Sequence, residues 1–368
     1  MLQRSQSFLT HMIMVLLQVT LSLVEHIFSF IVLIFWLLFG ITYLTQFYNM
    51  LPISGFGTNL LVILSFLGLH ALIHTPFSIA HKLIDSHYGF NRQSAKGFVL
   101  DSIKMFVVGG ILLGMIFALL LWIMESLSSW WIVGFCVVFA FLVFIQLVYP
   151  TLIAPMFNKF TPLDNESLRQ RITMLMERVG FRSSGIFVVD ASRRDGRLNA
   201  YFGGLGSMKR VVLFDTLLDK ISEDGLIAIL GHELGHFKHG DITQNIIISG
   251  FILFAMFAIM GLFFDPLCLY LGLPFTDSSI LILAILLFPV LSFLFMPIQS
   301  YFSRKAEYRA DAFGASCVSN KALSEALVRL VNENKAFPYS HPAYIFFYYS
   351  HPPLLERLKA LGGLHDGN

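Results

Sequence analysis

Gly231-His232-Glu233-Leu234-Gly235-His236-Phe237-Lys238-His239-Gly240-Asp241 is the stretch around which this 368-residue chain can be read. Ser222, Glu223 and Asp224 just upstream predict a helix start, because a hydroxyl cap and early carboxylates suit free N–H groups and the positive dipole end. On that helix His232 and His236 stand one above the other, four residues apart. Two imidazoles so placed can take two corners of a zinc tetrahedron. Glu233 lies one step round, beside such an ion, where it can take a proton from an activated water. The bland alternative is two surface histidines and a solvated glutamate.

Two histidines do not complete a site, since a catalytic zinc usually has three protein ligands and one open position. His239 is seven residues from His232, roughly 10 Å along a helix at 1.5 Å per residue, so one helix cannot bring both to one ion with His236. His239 is therefore expected at the surface or facing substrate. The metzincin offsets after His236 are absent as well. A second helix returning to the same face is needed, and Ser303 to Asp311 offers one. Glu307 and Asp311 share a helix face there, the first able to bind a metal and the second to orient a ligand imidazole. A solvated charge cluster at a membrane edge is the competing reading.

Composition sets the surroundings. The chain is 56% hydrophobic and 13% charged with 38 Phe, and its mean hydropathy is +0.72. Soluble domains carry roughly a quarter charged residues, so this is a multi-pass membrane protein. Spans are expected at about 21–46, 58–80, 103–124, 130–153, 245–264 and 280–299, with a seventh, N-terminal crossing left open. The loops at 49–57, 125–129 and 265–279 carry no Lys or Arg. All 25 Lys and Arg then fall on the other side, which marks the cytoplasmic face and puts both termini and the zinc motif there. A net charge of +2 without a basic run gives no sign of nucleic acid binding. Cys136, Cys268 and Cys317 are scattered and read as structural thiols.

The expected organisation is an N-terminal membrane domain, 1–154, and a zinc domain, 155–368, interrupted by the last two spans. The zinc domain opens with an amphipathic helix over Asp164 to Gly180, with Leu168, Ile172, Leu175, Met176 and Val179 on one face. Short β-rich runs follow at Ile186 to Val189, Leu198 to Phe202 and Val211 to Phe214. A small sheet ahead of a zinc helix suggests an edge to which an extended peptide adds as another strand, with a plain hairpin as the alternative. Downstream a helix over Asn320 to Lys335 is expected to end at Pro338, before His351-Pro352-Pro353 and a last short helix. His351 and Arg357 could donate to the oxyanion of a tetrahedral intermediate, or simply form a proline turn and a surface helix.

Taken together, His232 to Asp241, Ser303 to Asp311 and His351 through Arg357 resemble the CAAX prenyl protease 1 family of integral-membrane zinc metallopeptidases. Pro76 through Asn91, Tyr149 through Leu163, and Asn199-Ala200-Tyr201 carry the same resemblance. It implies His232, His236 and Glu307 as ligands of one zinc ion and Glu233 as catalytic base. It also implies Asp311 behind a ligand, Asn199 and Ala200 on a substrate-binding edge, and His351 with Arg357 near the transition state. The implied fold is mainly α, a bundle of membrane helices around a water-filled chamber with a small α+β zincin-like protease domain facing the cytoplasm. The implied partners are the bilayer and a peptide or protein substrate, prenylated or membrane-associated. Such proteins usually carry one more span before the segment matching Leu21 to Gln46, and that departure leaves the chamber wall in question. The short lead-in favours a bacterial inner membrane over the endoplasmic reticulum. A heat-shock-type membrane protease, an intramembrane site-2-type protease, and a zinc transporter or receptor are the alternatives; only the last dispenses with Glu233.

Overall fold

Inside a bilayer the backbone must satisfy its own N–H and C=O groups, which leaves uncharged runs of this length little choice but helix. The computed structural model describes residues 2–204, 209–337 and 339–362. α1 (Leu2–Phe35) passes through one π turn at Trp36–Gly40 into α2 (Ile41–Asn49), and α3 (Gly55–His87), α4 (Ala95–Ser126) and α5 (Trp130–Val148) follow. Six helical segments among the described residues are long and apolar enough to cross a membrane: Met12–Asn49, Gly55–His87, Ala95–Ser126, Trp130–Met156, Asp241–Tyr270 and Asp277–Cys317. Their order is the expected one, and the chain is a multi-pass integral membrane protein. Residues 2–49 run as one helical segment, so no seventh crossing forms within them.

By packing, the chain divides into two compact units, Met1–Ala140 with Phe251–Ser292, and Phe141–Gly250 with Phe293–Asn368. The first is helical, and its core gathers Trp36, Phe66, Leu121, Phe264 and Ile282, each almost wholly buried. Polar groups between α1 and α3 pair with one another. His81 Nδ1 lies 2.6 Å from Gln18 Oε1, and its Nε2 lies 3.1 Å from Glu25 Oε2.

The second unit holds a four-stranded sheet, β1 (Phe160–Pro162), β2 (Ile186–Val189), β3 (Ala200–Gly203) and β4 (Arg210–Phe214), in the order β1-β2-β4-β3. β2 runs parallel to β4, while β1 and β3 are antiparallel edges. Three residues are too few to show alternation, so β1 was not legible in the sequence. β3 starts later than the expected Leu198. The Asn334 side chain takes both backbone groups of Leu198 instead, accepting from its N–H at 2.8 Å and donating to its C=O at 3.2 Å.

α6 (Glu166–Arg178) is capped by Asn165, stops at Gly180 (φ 68°), and buries Leu168, Ile172, Leu175 and Met176 against the sheet. α7 (Asp215–Leu218), α8 (Glu223–Lys238) and α9 (Asp241–Tyr270) come next. α10 (Asp277–Cys317) runs for 41 residues, so Glu307 and Asp311 lie on the continuation of the last span rather than on a separate helix. α11 (Asn320–Glu333), α12 (Pro342–Tyr348) and α13 (Leu354–Ala360) complete the chain. α11 ends at Glu333, where Lys335 takes φ 48°; Pro338, expected to end it, lies outside the described residues.

Candidate active site

α8 begins as its sequence predicts, with Ser222 Oγ accepting from Gly225 N–H at 3.2 Å. Leu226, Leu230 and Leu234 bury one face in the core beside the sheet. The face opposite α10 is set by two glycines. A Cβ at Gly235 would stand 2.9 Å from the Ala310 Cα, and one at Gly314 would stand 2.6 Å from the Ala228 carbonyl oxygen. Neither contact tolerates a side chain, so the two helices meet backbone to backbone. That approach brings Glu307 opposite both histidines.

The rings of His232 and His236 are 4.9 Å apart, centroid to centroid. Each uses its far nitrogen on a carboxylate: His232 Nδ1 is 2.8 Å from Asp311 Oδ1, and His236 Nδ1 is 3.0 Å from Asp241 Oδ2. A carboxylate can only accept, so in the neutral ring Nδ1 carries the proton and Nε2 keeps the lone pair that a metal would take. Both Nε2 atoms face Glu307, at 3.5 Å from Oε2 and 3.3 Å from Oε1. One ligand atom from each of His232, His236 and Glu307 lies within 4.8 Å of the others. Glu307 Oε2 is buried without a hydrogen-bond partner among the described residues. An orphaned carboxylate oxygen converging with two imidazole lone pairs fits a cation, and a His-His-Glu set suits zinc.

The field points the same way. Burial works against a proton on His236, but the Glu307 and Asp241 carboxylates outweigh it and hold its pKa up at about 9. Surroundings that favour positive charge on an imidazole favour a cation between the same groups. Glu233 is raised above the usual carboxylate range, chiefly by burial, although His232 and His236 pull it back. A carboxylate moved upward by burial is better matched to proton transfer near neutral pH.

Arg357 grips Asp311 with two parallel bonds, Nε to Oδ2 at 2.8 Å and Nη2 to Oδ1 at 2.6 Å, and stands 3.8 Å from Glu307 Oε2. His351 Nε2 lies 3.3 Å from Glu307 Oε1, on the outer side of the cluster. His239 is exposed at the end of α8 with its ring against Phe313, away from the cluster. Asp241, buried between His236 and Arg309, is a member that sequence reasoning missed. The available signal was a carboxylate just after Gly240, whose φ of 72° turns the chain back toward α8.

A cavity of about 630 Å³ opens over His232, Glu233, His236 and Glu307 and is bordered by Phe202, Gly203 and Gly204 of the β3 edge. Asn199 is exposed just before β3, and the Ala200 side chain is buried in the core. Phe214 N–H donates to Asn199 C=O. Antiparallel alternation then turns the backbone groups of Ala200 and Phe202 toward the open side of the strand. The edge thus runs past the cavity, with Phe202 to Gly204 bordering it.

Ligand nitrogens held by buried carboxylates, a glutamate beside them and an open strand edge define a membrane-embedded scaffold of the metallopeptidase class. Residues 162–365 match peptidase family M48, and residues 6–159 match the CAAX prenyl protease N-terminal family, described as five membrane helices. The chain belongs to this family. It carries four of the six membrane-length helices in that N-terminal match. The chain is 36% identical to "Probable CAAX prenyl protease 1" of Schizosaccharomyces pombe over 300 residues, covering 79% of this chain and 62% of that protein. With the CAAX prenyl protease 1 homolog of Homo sapiens it shares 32% identity over 338 residues, covering 79% of this chain and 70% of that one. Its fold is that of the crystal structure of S. mikatae Ste24p, with a TM-score of 0.89 and 29% identity over 97% of this chain and 89% of the other.

Proposed function

We propose that the chain is a zinc endopeptidase that cuts peptide bonds at the cytoplasmic face of its membrane. The supporting observation is Glu233 set beside the His232, His236 and Glu307 cluster in a cavity bordered by an open strand edge. One zinc ion per chain held by those three residues would supply Lewis acidity and lower the pKa of a bound water to about 7.

An extended peptide pairs with the outward backbone groups of β3 as an added strand, which brings one of its carbonyls over the cavity. A Glu233 carboxylate oxygen takes the proton of the attacking water and passes it to the departing amine nitrogen. His351, and Arg357 behind it, offset negative charge developing on the carbonyl oxygen. Asp311 and Asp241 hold the two imidazoles in the tautomer that leaves Nε2 free, and Arg357 fixes Asp311. The relatives' names point to prenylated C-terminal segments as substrates, and the charge distribution of the loops supports a cytoplasmic site.

Glu233→Gln decides between this reading and a non-catalytic zinc protein. Its metal content is expected to match the parent, while peptidase activity falls about 10²–10⁴-fold. Undiminished cleavage by a metal-loaded variant would end the proposal.

A further inference from the structure

The segment that follows α11 carries a surface that peptide hydrolysis does not use. Between Lys335 and Glu356 the chain has no Asp, Glu, Lys or Arg, yet seven of these residues are aromatic. α12 lies within this segment and is fixed along α10. The Phe347 ring stacks on Phe293 at 5.0 Å and 4°. Ser300 Oγ donates to the Phe347 carbonyl at 2.9 Å, and Arg304 donates to the Ile345 and Tyr349 carbonyls, both at 2.8 Å. Tyr344 and Tyr348, one turn apart with their rings stacked at 4.8 Å, form an uncovered side of α12, 51% and 50% exposed; Phe346, 51% exposed, lies on the opposite flank.

The register on α10 shows what faces this side. The contacts with α12 fall at Phe293, Ser300 and Arg304, one stripe of the helix. Leu294, Ile298 and Tyr301 form the adjacent stripe, about 100° round, and are 48–67% exposed. An exposed stripe of uncharged, apolar side chains on a spanning helix suits acyl chains rather than a water-filled chamber. α12 therefore lies on the shoulder of a lipid-facing surface, and Tyr348 continues that surface through its contact with Phe293 at 6.3 Å. The axial position agrees. Phe293 lies six residues inside the expected end of the span at Gln299, roughly 9 Å, and Arg304 lies five beyond it, roughly 8 Å. This is the level at which acyl chains give way to headgroups, where tyrosine is enriched.

We propose that α12 is an in-plane membrane anchor, with Tyr344 and Tyr348 seated at the headgroup–acyl boundary and Arg304 holding the helix to the last span. His351 follows Tyr348 by three residues, so the bilayer surface itself fixes the segment that delivers His351 to the cluster. The inference rests on the membrane reading and not on peptidase activity.

The experiment uses the full chain in lipid nanodiscs containing brominated phosphatidylcholine. Tyr344→Trp and Tyr348→Trp are each read as the fluorescence gained over the parent. Lys321→Trp, on the strongly exposed start of α11, is the solvent reference. Bromines near the headgroup end of the acyl chain are expected to quench both test positions, more strongly than bromines near the chain terminus. The Lys321→Trp signal is expected to be unchanged. Test positions quenched no more than the reference would overturn the proposal. So would emission that ignores brominated lipid but shifts when a farnesylated peptide is added, which would assign these rings to substrate.

Discussion

The chain contains two histidine pairs with the same spacing, and only one has the makings of a site. His70 and His74 on α3 stand with ring centroids 4.7 Å apart, close to the 4.9 Å of His232 and His236. In the α3 pair, His70 Nδ1 and His74 Nε2 are buried without a hydrogen-bond partner among the described residues, and the rings pack on Phe66 and Phe28. In the α8 pair each Nδ1 meets a buried carboxylate and each Nε2 faces Glu307. Helical spacing stacks two imidazoles anywhere. Carboxylates behind and opposite them decide which nitrogen is available and whether positive charge is welcome.

The contrast breaks first at the metal itself. His232→Ala or Glu307→Ala should take the purified protein from one zinc per chain to nearly none, while His74→Ala should leave the stoichiometry at one. Elemental analysis that found zinc lost from the α3 variant would erase the distinction. Next comes pH. Because the His236 pKa is raised to about 9 without metal, the ion must displace a proton below that value. Apparent zinc affinity should therefore climb roughly tenfold per unit from pH 7 and level off near pH 9. A flat competition titration across that interval would show that His236 is already neutral. Removing the supporting carboxylates has a smaller effect. Asp311→Asn should weaken zinc binding about 10–100-fold, and Asp241→Asn about 10-fold, since His232 is the more deeply buried of the two imidazoles. The reverse order in a chelator competition would contradict that ranking. The mildest change is Gly235→Ala. It should cost about 1–3 kcal/mol of stability by pushing α8 off α10, read as a lowered midpoint in urea. An unshifted midpoint would mean that the two helices separate freely.

Much of this was legible because helical spacing is a local property. His232, Glu233 and His236 could be placed on one helix from their offsets alone, and His239 lies apart from them against Phe313. The six spans were equally readable, since twenty apolar residues have one solution in lipid. What sequence could not supply was contact between distant segments. Glu307 was reachable through its pairing with Asp311 on one face, but the glycine contacts that bring α10 against α8 have no periodic signal. Asp241 was missed because its role depends on the turn at Gly240. The β3 edge was placed two residues early because the claim of Asn334 on Leu198 comes from 136 positions away.

The division of the cluster between α8 and α10 has a consequence for synthesis. His236 and Glu307 are separated in the chain by two membrane crossings. At roughly 5–20 residues per second, a ribosome reaches Glu307 about 4–14 s after His236. Until then the nascent chain offers two imidazoles without their third partner, and α10 must enter the bilayer before that partner reaches α8. Competence to cut is thereby deferred to the end of membrane insertion, so the chain is kept from acting during its own biogenesis.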